Sequence, residues 1–180
     1  MNRSIYLLLP IVALMTQCSN VNESDNSSQQ DKTINMPPDS GHHSYYSRTD
    51  TSKLVLPDET WKKILDADLY EVARHAATER AFTGKFWDYE GIGTYYCAAC
   101  GNALFKSDSK FASGCGWPSF YESIRPTSVI YKRDTSHGMI RTEVLCGRCD
   151  SHLGHIFDDG PPPTGQRFCM NSISLDFDPK

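Results

Sequence analysis

The sequence predicts a mainly β domain with short N-terminal helices, pinned by two pairs of cysteines. Three observations carry that expectation. From Thr94 onward, short β-rich runs alternate with turn residues. Upstream lie two brief amphipathic patterns with helical spacing. Two Cys-x-x-Cys pairs, Cys97-Ala98-Ala99-Cys100 and Cys146-Gly147-Arg148-Cys149, sit directly after strand-like runs.

In the helical part, Asp58 is read as an N-cap after Pro57, with Trp61, Ile64 and Leu65 following at helical spacing. Leu69, Val72, Ala73 and Ala76 repeat as the buried stripe of a second helix. Gly84, Gly91 and Gly93 then break the pattern. Among the strand-like runs, Thr94-Tyr95-Tyr96 and Ala103-Leu104-Phe105 bracket the first cysteine pair. Val129-Ile130-Tyr131 and residues 140–145 read as a hairpin turning near residues 134–138. A last strand is expected over residues 167–177.

The chain has 180 residues, 39% of them hydrophobic and 11% aromatic, which suits one globular domain plus an appendage. The formal net charge is −4 and no Lys/Arg block stands out. The sequence therefore offers no electrostatic case for binding nucleic acid.

Three segments are expected. Residues 1–17 read as a signal peptide, because a short apolar core follows Arg3 and is too brief to span a bilayer. Cys18 directly after that core resembles the lipidation site of a bacterial lipoprotein, although Gln17 stands where a small residue is usual. A plain secretory signal and an uncleaved anchor are the alternatives. Residues 18–52 are rich in Ser, Asn, Asp, Gln and Thr and read as a flexible polar tether, with His42 and His43 assigned no role. Residues 53–180 form the folded domain. Export, with a membrane-anchored lipoprotein facing the periplasm or cell exterior, follows from the first two segments. No other membrane contact is expected.

Seven cysteines, an odd count, argue against a simple disulfide framework. Two Cys-x-x-Cys knuckles can direct four thiolates at one zinc ion, about 2.3 Å from each sulfur. A shell closed by Cys97, Cys100, Cys146 and Cys149 leaves no open position, so one zinc there is structural. The competing reading makes Cys146 and Cys149 a thioredoxin-like redox pair. Nothing around them reads as the strand–redox pair–helix unit such a pair needs.

Cys115 and Cys169 remain. On a strand, Arg167, Cys169 and Asn171 point to one face. A guanidinium there favours the thiolate of Cys169, and Asn171 offers a donor and an acceptor. A buried structural cysteine is the equal alternative at this point. Cys115 lies between Gly114 and Gly116, in a loop that suits a thiol swinging toward a partner. Trp117 offers an apolar face to a small apolar group, or is an ordinary core aromatic. His152 and His155, held beside the second knuckle, are candidates for proton transfer near neutral pH.

Many motifs, in order, resemble the methionine-(R)-sulfoxide reductases, the B class of methionine sulfoxide reductases. They include Trp61-Lys62-Lys63-Ile64-Leu65, Phe82-Thr83-Gly84 and Ser113-Gly114-Cys115-Gly116-Trp117-Pro118-Ser119-Phe120. Ser136-His137-Gly138-Met139, His152-Leu153-Gly154-His155, Asp159-Gly160-Pro161 and Pro163-Thr164-Gly165 follow. Arg167-Phe168-Cys169-Met170-Asn171-Ser172 and both knuckles complete the set. Departures are Ala81, where proline is frequent, and Pro162, which lengthens a proline run.

The resemblance implies two facing antiparallel sheets in a β-tent-like arrangement around a structural zinc. It implies reduction of the R epimer of methionine sulfoxide, mostly in oxidised proteins. Cys169 is then the nucleophile, with His155, His152 and Asn171 assisting, and becomes a sulfenic acid. Cys115 resolves it to a disulfide that a thioredoxin-like donor reduces. Trp117 receives the substrate methyl group, and Arg167 stands beside the nucleophile. Two rivals are a zinc-stabilised interaction module without catalysis and a general protein disulfide oxidoreductase.

Overall fold

Two short helices open the domain because their apolar residues fall on one side and little else sustains them. α1 spans Asp58–Ile64 and α2 spans Ala67–His75 in the computed structural model, which describes residues 41–180. Residues 1–17, Cys18 and the first part of the expected tether lie outside the described residues. Among those described, no helix is long and apolar enough to cross a membrane. Asp58 is the first helical residue of α1 rather than its cap, and its carboxylate accepts a hydrogen bond from Tyr70 Oη of α2. An acidic first turn still suits the helix dipole. In α2 the buried residues are Tyr70, Val72 and Ala73, with Leu69 half-buried, while Ala76 ends the helix in the left-handed region at φ 54°.

Nine strands follow: β1 Gly93–Cys97, β2 Ala103–Lys106, β3 Lys110–Phe111, β4 Ser119–Phe120, β5 Val129–Asp134, β6 Arg141–Cys146, β7 His152–Phe157, β8 Arg167–Met170 and β9 Leu175–Pro179. They form a three-stranded sheet, β2-β1-β9, and a six-stranded sheet, β3-β4-β8-β7-β6-β5. Every pairing is antiparallel. The expected mainly β fold of two antiparallel sheets with short helices is what forms.

Aromatic rings join the sheets. Phe105 of β2 stacks on Phe120 of β4 with centroids 4.4 Å apart, and lies 5.5 Å from Phe168 of β8. All three are essentially sealed from solvent, as are Tyr95, Leu104, Leu153, Met170 and Leu175. Large rings suit this layer because each removes much apolar area from water.

The expected final strand is broken in two. β8 ends at Met170, a single 3-10 turn covers Ser172–Ser174, and β9 then joins the other sheet. The cause is polar. The carboxylate of Glu79 accepts the backbone N–H groups of Ser172 (2.5 Å) and Ile173 (3.1 Å), taking donors a continuous ladder would use. Leu175 and Phe177 therefore do not continue the face that carries Cys169.

Packing starts earlier than residue 53. Tyr46 and Ser47 are buried, Ser47 N donates to Cys100 O at 2.9 Å, and His43 Nε2 lies 3.0 Å from Ala99 O. The later part of the expected tether is thus a strap across the first knuckle. Arg148 of the second knuckle fastens it, donating to Cys100 O (2.6 Å), Tyr45 O (3.1 Å) and Asp50 Oδ2 (2.9 Å). Its side chain is only 4% exposed. Arg148→Ala removes three hydrogen bonds and the buried side chain that makes them, and should cost about 2–4 kcal/mol. A lower urea midpoint at unchanged slope checks this, and an unchanged midpoint refutes it.

Candidate active site and metal centre

The two knuckles repeat one backbone shape. Gly101 N donates to Cys97 O (2.8 Å) and Asp150 N to Cys146 O (3.0 Å). Both fifth residues are left-handed, Gly101 at φ 81° and Asp150 at φ 59°. Glycine accepts that region freely, and aspartate tolerates it better than most residues. The four thiols converge with their sulfurs all within 4.8 Å of one another, and all four are buried. Cys97 and Cys149 sulfurs are 3.8 Å apart, Cys100 and Cys146 3.6 Å. A thiolate tetrahedron around zinc at about 2.3 Å has edges of about 3.8 Å. The donor set therefore fits that ion. Asn102 Nδ2 donates to Cys146 Sγ at 3.5 Å, and Ser151 Oγ lies 3.2 Å from Cys149 Sγ. The cluster joins the end of β1 to the end of β6, and so one sheet to the other.

On the six-stranded sheet, Lys132, Glu143, His155, Cys169, Ser119 and Phe111 are successive cross-strand partners. Side chains directly opposite one another share a face, so these six form one row. His152 joins them through a bulge. Leu145 pairs with His152 while Val144 pairs with Gly154, leaving Leu153 as the extra residue. Only glycine fits at 154, since a Cβ there would lie 2.1 Å from Cys169 O.

Each histidine has its own carboxylate. Asp134 Oδ2 lies 2.9 Å from His155 Nε2 and also accepts from Arg141 Nη2 at 2.6 Å. Hydrogen bonds from Ser136, then from His155 and Arg141, hold the Asp134 carboxyl well below the usual range. Glu143 Oε1 lies 2.7 Å from His152 Nδ1. Burial lowers the His152 pKa against the pull of Glu143, so the ring is neutral at pH 7 and donates through Nδ1. Its Nε2 is buried with no described partner and is left as an acceptor.

Cys115 and Cys169 come together with sulfurs 3.5 Å apart, and both are partly exposed. Arg167 favours the Cys169 thiolate, as expected, but it is outweighed. Burial, reinforced by neighbouring Cys115, pushes the Cys169 thiol up to about 12. Arg167 pulls the other way but is diverted: both its Nε and Nη2 bind Asp159 at 2.8 Å, and its guanidinium covers the Phe157 ring at 4.4 Å. Cys115 is the thiol whose surroundings favour the anion. Burial pushes it up, but hydrogen bonds led by Ser113 and Ser119 prevail and lower it to about 7.

Asn171 and Trp117 are held from behind by Glu79. Glu79 N donates to Asn171 Oδ1 (3.1 Å), and Trp117 Nε1 donates to Glu79 O (3.2 Å). Asn171 Nδ2 donates to Leu153 O at 3.2 Å, so its amide secures the bulge. Trp117 borders a cavity of about 330 Å³ with Trp87, Phe111 and Gly116. A larger cavity, about 1080 Å³, lies between His43, Leu69, Gly84 and Ile173, away from the two thiols. Sequence reading missed Glu79, Ser113, Ser119, Asp134 and Glu143 as site residues. Ser113 and Ser119 lie inside a quoted motif, but the three carboxylates carry no local signal.

Residues 65–179 match the SelR domain family. The protein named peptide methionine sulfoxide reductase MsrB from Herminiimonas arsenicoxydans is 54% identical over 128 residues, covering 71% of this chain and 93% of that relative. Its namesake from Thiobacillus denitrificans is 57% identical over 123 residues, covering 68% and 93% respectively. A Synechococcus relative of the same name is 49% identical over 133 residues, covering 74% and 98%. Identity of this order along nearly the whole of each relative leaves one conclusion: the chain belongs to the SelR domain family, among the peptide methionine sulfoxide reductases of the MsrB type.

Proposed function

We propose that this chain reduces the R epimer of protein-bound methionine sulfoxide, with Cys169 as nucleophile and Cys115 as resolving thiol. The observation that carries the reading is the 3.5 Å approach of the two sulfurs beside His155, the cross-strand partner of Cys169. Cys169 attacks the sulfoxide sulfur, methionine leaves, and the oxygen stays on Cys169 as a sulfenic acid. The methionine sulfur is reduced and the cysteine sulfur oxidised. The thiol proton ends on the transferred oxygen, carried by His155, which Asp134 orients through Nε2. Asn171 and His152 shape the pocket wall, Trp117 receives the substrate methyl group, and Arg167 with Asp159 closes the rim. Cys115 then displaces the oxygen to form a disulfide, which a dithiol donor of thioredoxin type reduces.

Cys97, Cys100, Cys146 and Cys149 hold one zinc ion, whose contribution is structural. Export as a lipoprotein through Cys18 is part of the proposal and rests on the N-terminal sequence; intact mass of membrane-extracted protein tests it. Activity is tested by separate assay of each sulfoxide epimer with a dithiol donor. R-epimer turnover without S-epimer turnover is the expected result. Turnover of neither epimer by folded, metal-loaded protein would sink the reading and favour an interaction module. Disulfide exchange without epimer preference would favour a general oxidoreductase.

A further inference from the structure

Cys115 is surrounded by hydroxyls to a degree its resolving role does not by itself demand. Ser113 Oγ lies 2.9 Å from Cys115 Sγ, and Ser119 Oγ lies 3.6 Å from it. The two hydroxyls are 2.7 Å from each other. Ser119 is fully buried on β4, directly opposite Cys169 in the ladder. One serine thus belongs to the loop that carries the resolving thiol, and the other to the strand beside the nucleophile.

We propose that Ser113 and Ser119 are positioning residues for the second chemical step, forming a two-hydroxyl cradle that holds Cys115 as a thiolate aimed at Cys169. The inference rests on the reading of Cys169 and Cys115 given above. A thiolate can only accept, so Ser113 donates to sulfur, and the one Ser119 proton is shared among Ser113, the sulfur and Trp117 O, which lies 3.3 Å from Ser119 Oγ and 3.6 Å from the sulfur. The direction of the Ser113 bond is set by the charge. The depressed Cys115 pKa, about 7 against an ordinary 9.0, agrees with this geometry.

The step balances simply. The Cys115 thiolate attacks the sulfur of the Cys169 sulfenic acid. An S–S bond forms, the S–O bond breaks, and hydroxide leaves. That hydroxide takes up the proton Cys115 had released to solvent, giving water. Cys115 is oxidised to the disulfide level, and the sulfenic sulfur is reduced to it.

Magnitudes decide how large the effect should be. At pH 7 a thiol of pKa about 7 is roughly half ionised, and one of about 9 is roughly 1% ionised. The more basic thiolate is intrinsically more nucleophilic by roughly eightfold over that range. Loss of the cradle should therefore slow disulfide formation at pH 7 by about five- to tenfold, not abolish it.

The test is made in the full chain carrying Cys169→Ser, so that Cys115 cannot be consumed by its partner. Iodoacetamide labelling of the Cys115 peptide is followed by mass spectrometry across pH. The labelling midpoint should lie below that of an ordinary thiol with both serines present, and rise by about one unit or more with Ser113→Ala or Ser119→Ala. Ser113→Thr, which keeps a hydroxyl at a partly exposed position, should restore the lower midpoint. In the Cys169-containing protein, disulfide formation in the same Ala variants is read against each variant's own rate of methionine release. They should form the disulfide about five- to tenfold more slowly at pH 7. An unmoved midpoint in both Ala variants overturns the cradle. The labelling result does not depend on sulfoxide turnover, so failure of the proposed activity would be seen separately.

Discussion

Replacing Cys169 by serine should reduce sulfoxide turnover by on the order of 10⁴- to 10⁶-fold, the scale seen when a covalent nucleophile or its essential partner is removed. The substitution changes one atom in a partly exposed thiol, and the strand that carries it is fixed on both sides. β4 pairs with it at Ser119, and β7 at His155. Stability should therefore change little, and an intact thermal transition would separate lost chemistry from lost fold. Cys115→Ser should behave differently. Its first equivalent of methionine should appear normally, because Cys169, His155 and Trp117 are all retained. Turnover should then stop with a sulfenic acid that dimedone traps. If Cys169→Ser keeps activity, or if the two variants fail in the same way, the assignment of roles is wrong.

The second large effect is loss of metal. Four thiolates at one ion supply on the order of 10 kcal/mol in small zinc domains. A domain's whole stability is about 5–15 kcal/mol. Here the ion would join the end of β1 to the end of β6, so its removal leaves the aromatic layer to hold the two sheets together. Four buried thiols without a cation would also face one another with little compensation. Cys146→Ser, or chelation with stoichiometric zinc release, should leave a chain without a cooperative unfolding transition. A metal-free protein that still melts cooperatively at the original temperature would show the clip to be dispensable.

Much of this was legible from residue order. The knuckles announce themselves because metal geometry imposes a fixed two-residue spacing. The strands β1 and β2 and the β5–β6 hairpin were readable because β-rich runs stand between turn residues. The two histidines and two thiols were picked out by residue type and by motif. What was not legible depends on groups brought in from elsewhere. The break after Met170 arises because Glu79, far back in the chain, takes the N–H groups of Ser172 and Ile173. The shared face of His152 and His155 arises from one unpaired residue, Leu153, which no periodicity marks. The adjacency of Arg167 in the sequence points to Cys169 as the thiol favoured as an anion. Asp159 and Phe157 engage that guanidinium, while Ser113 and Ser119 lie against the sulfur of Cys115.

The sheet that begins with β1 is closed by β9, with Gly93 opposite Pro179 and Cys97 opposite Leu175. Pairing of such distant segments is slow to form, and it sets an order of events during synthesis. Until the last strand has left the ribosome, β1 has only β2 beside it, and Cys97 lacks Leu175 opposite it. Cys97 therefore waits for its cross-strand neighbour until the last strand is made. A protein whose proposed task is to reverse sulfur oxidation would be most vulnerable to sulfur oxidation before it is finished.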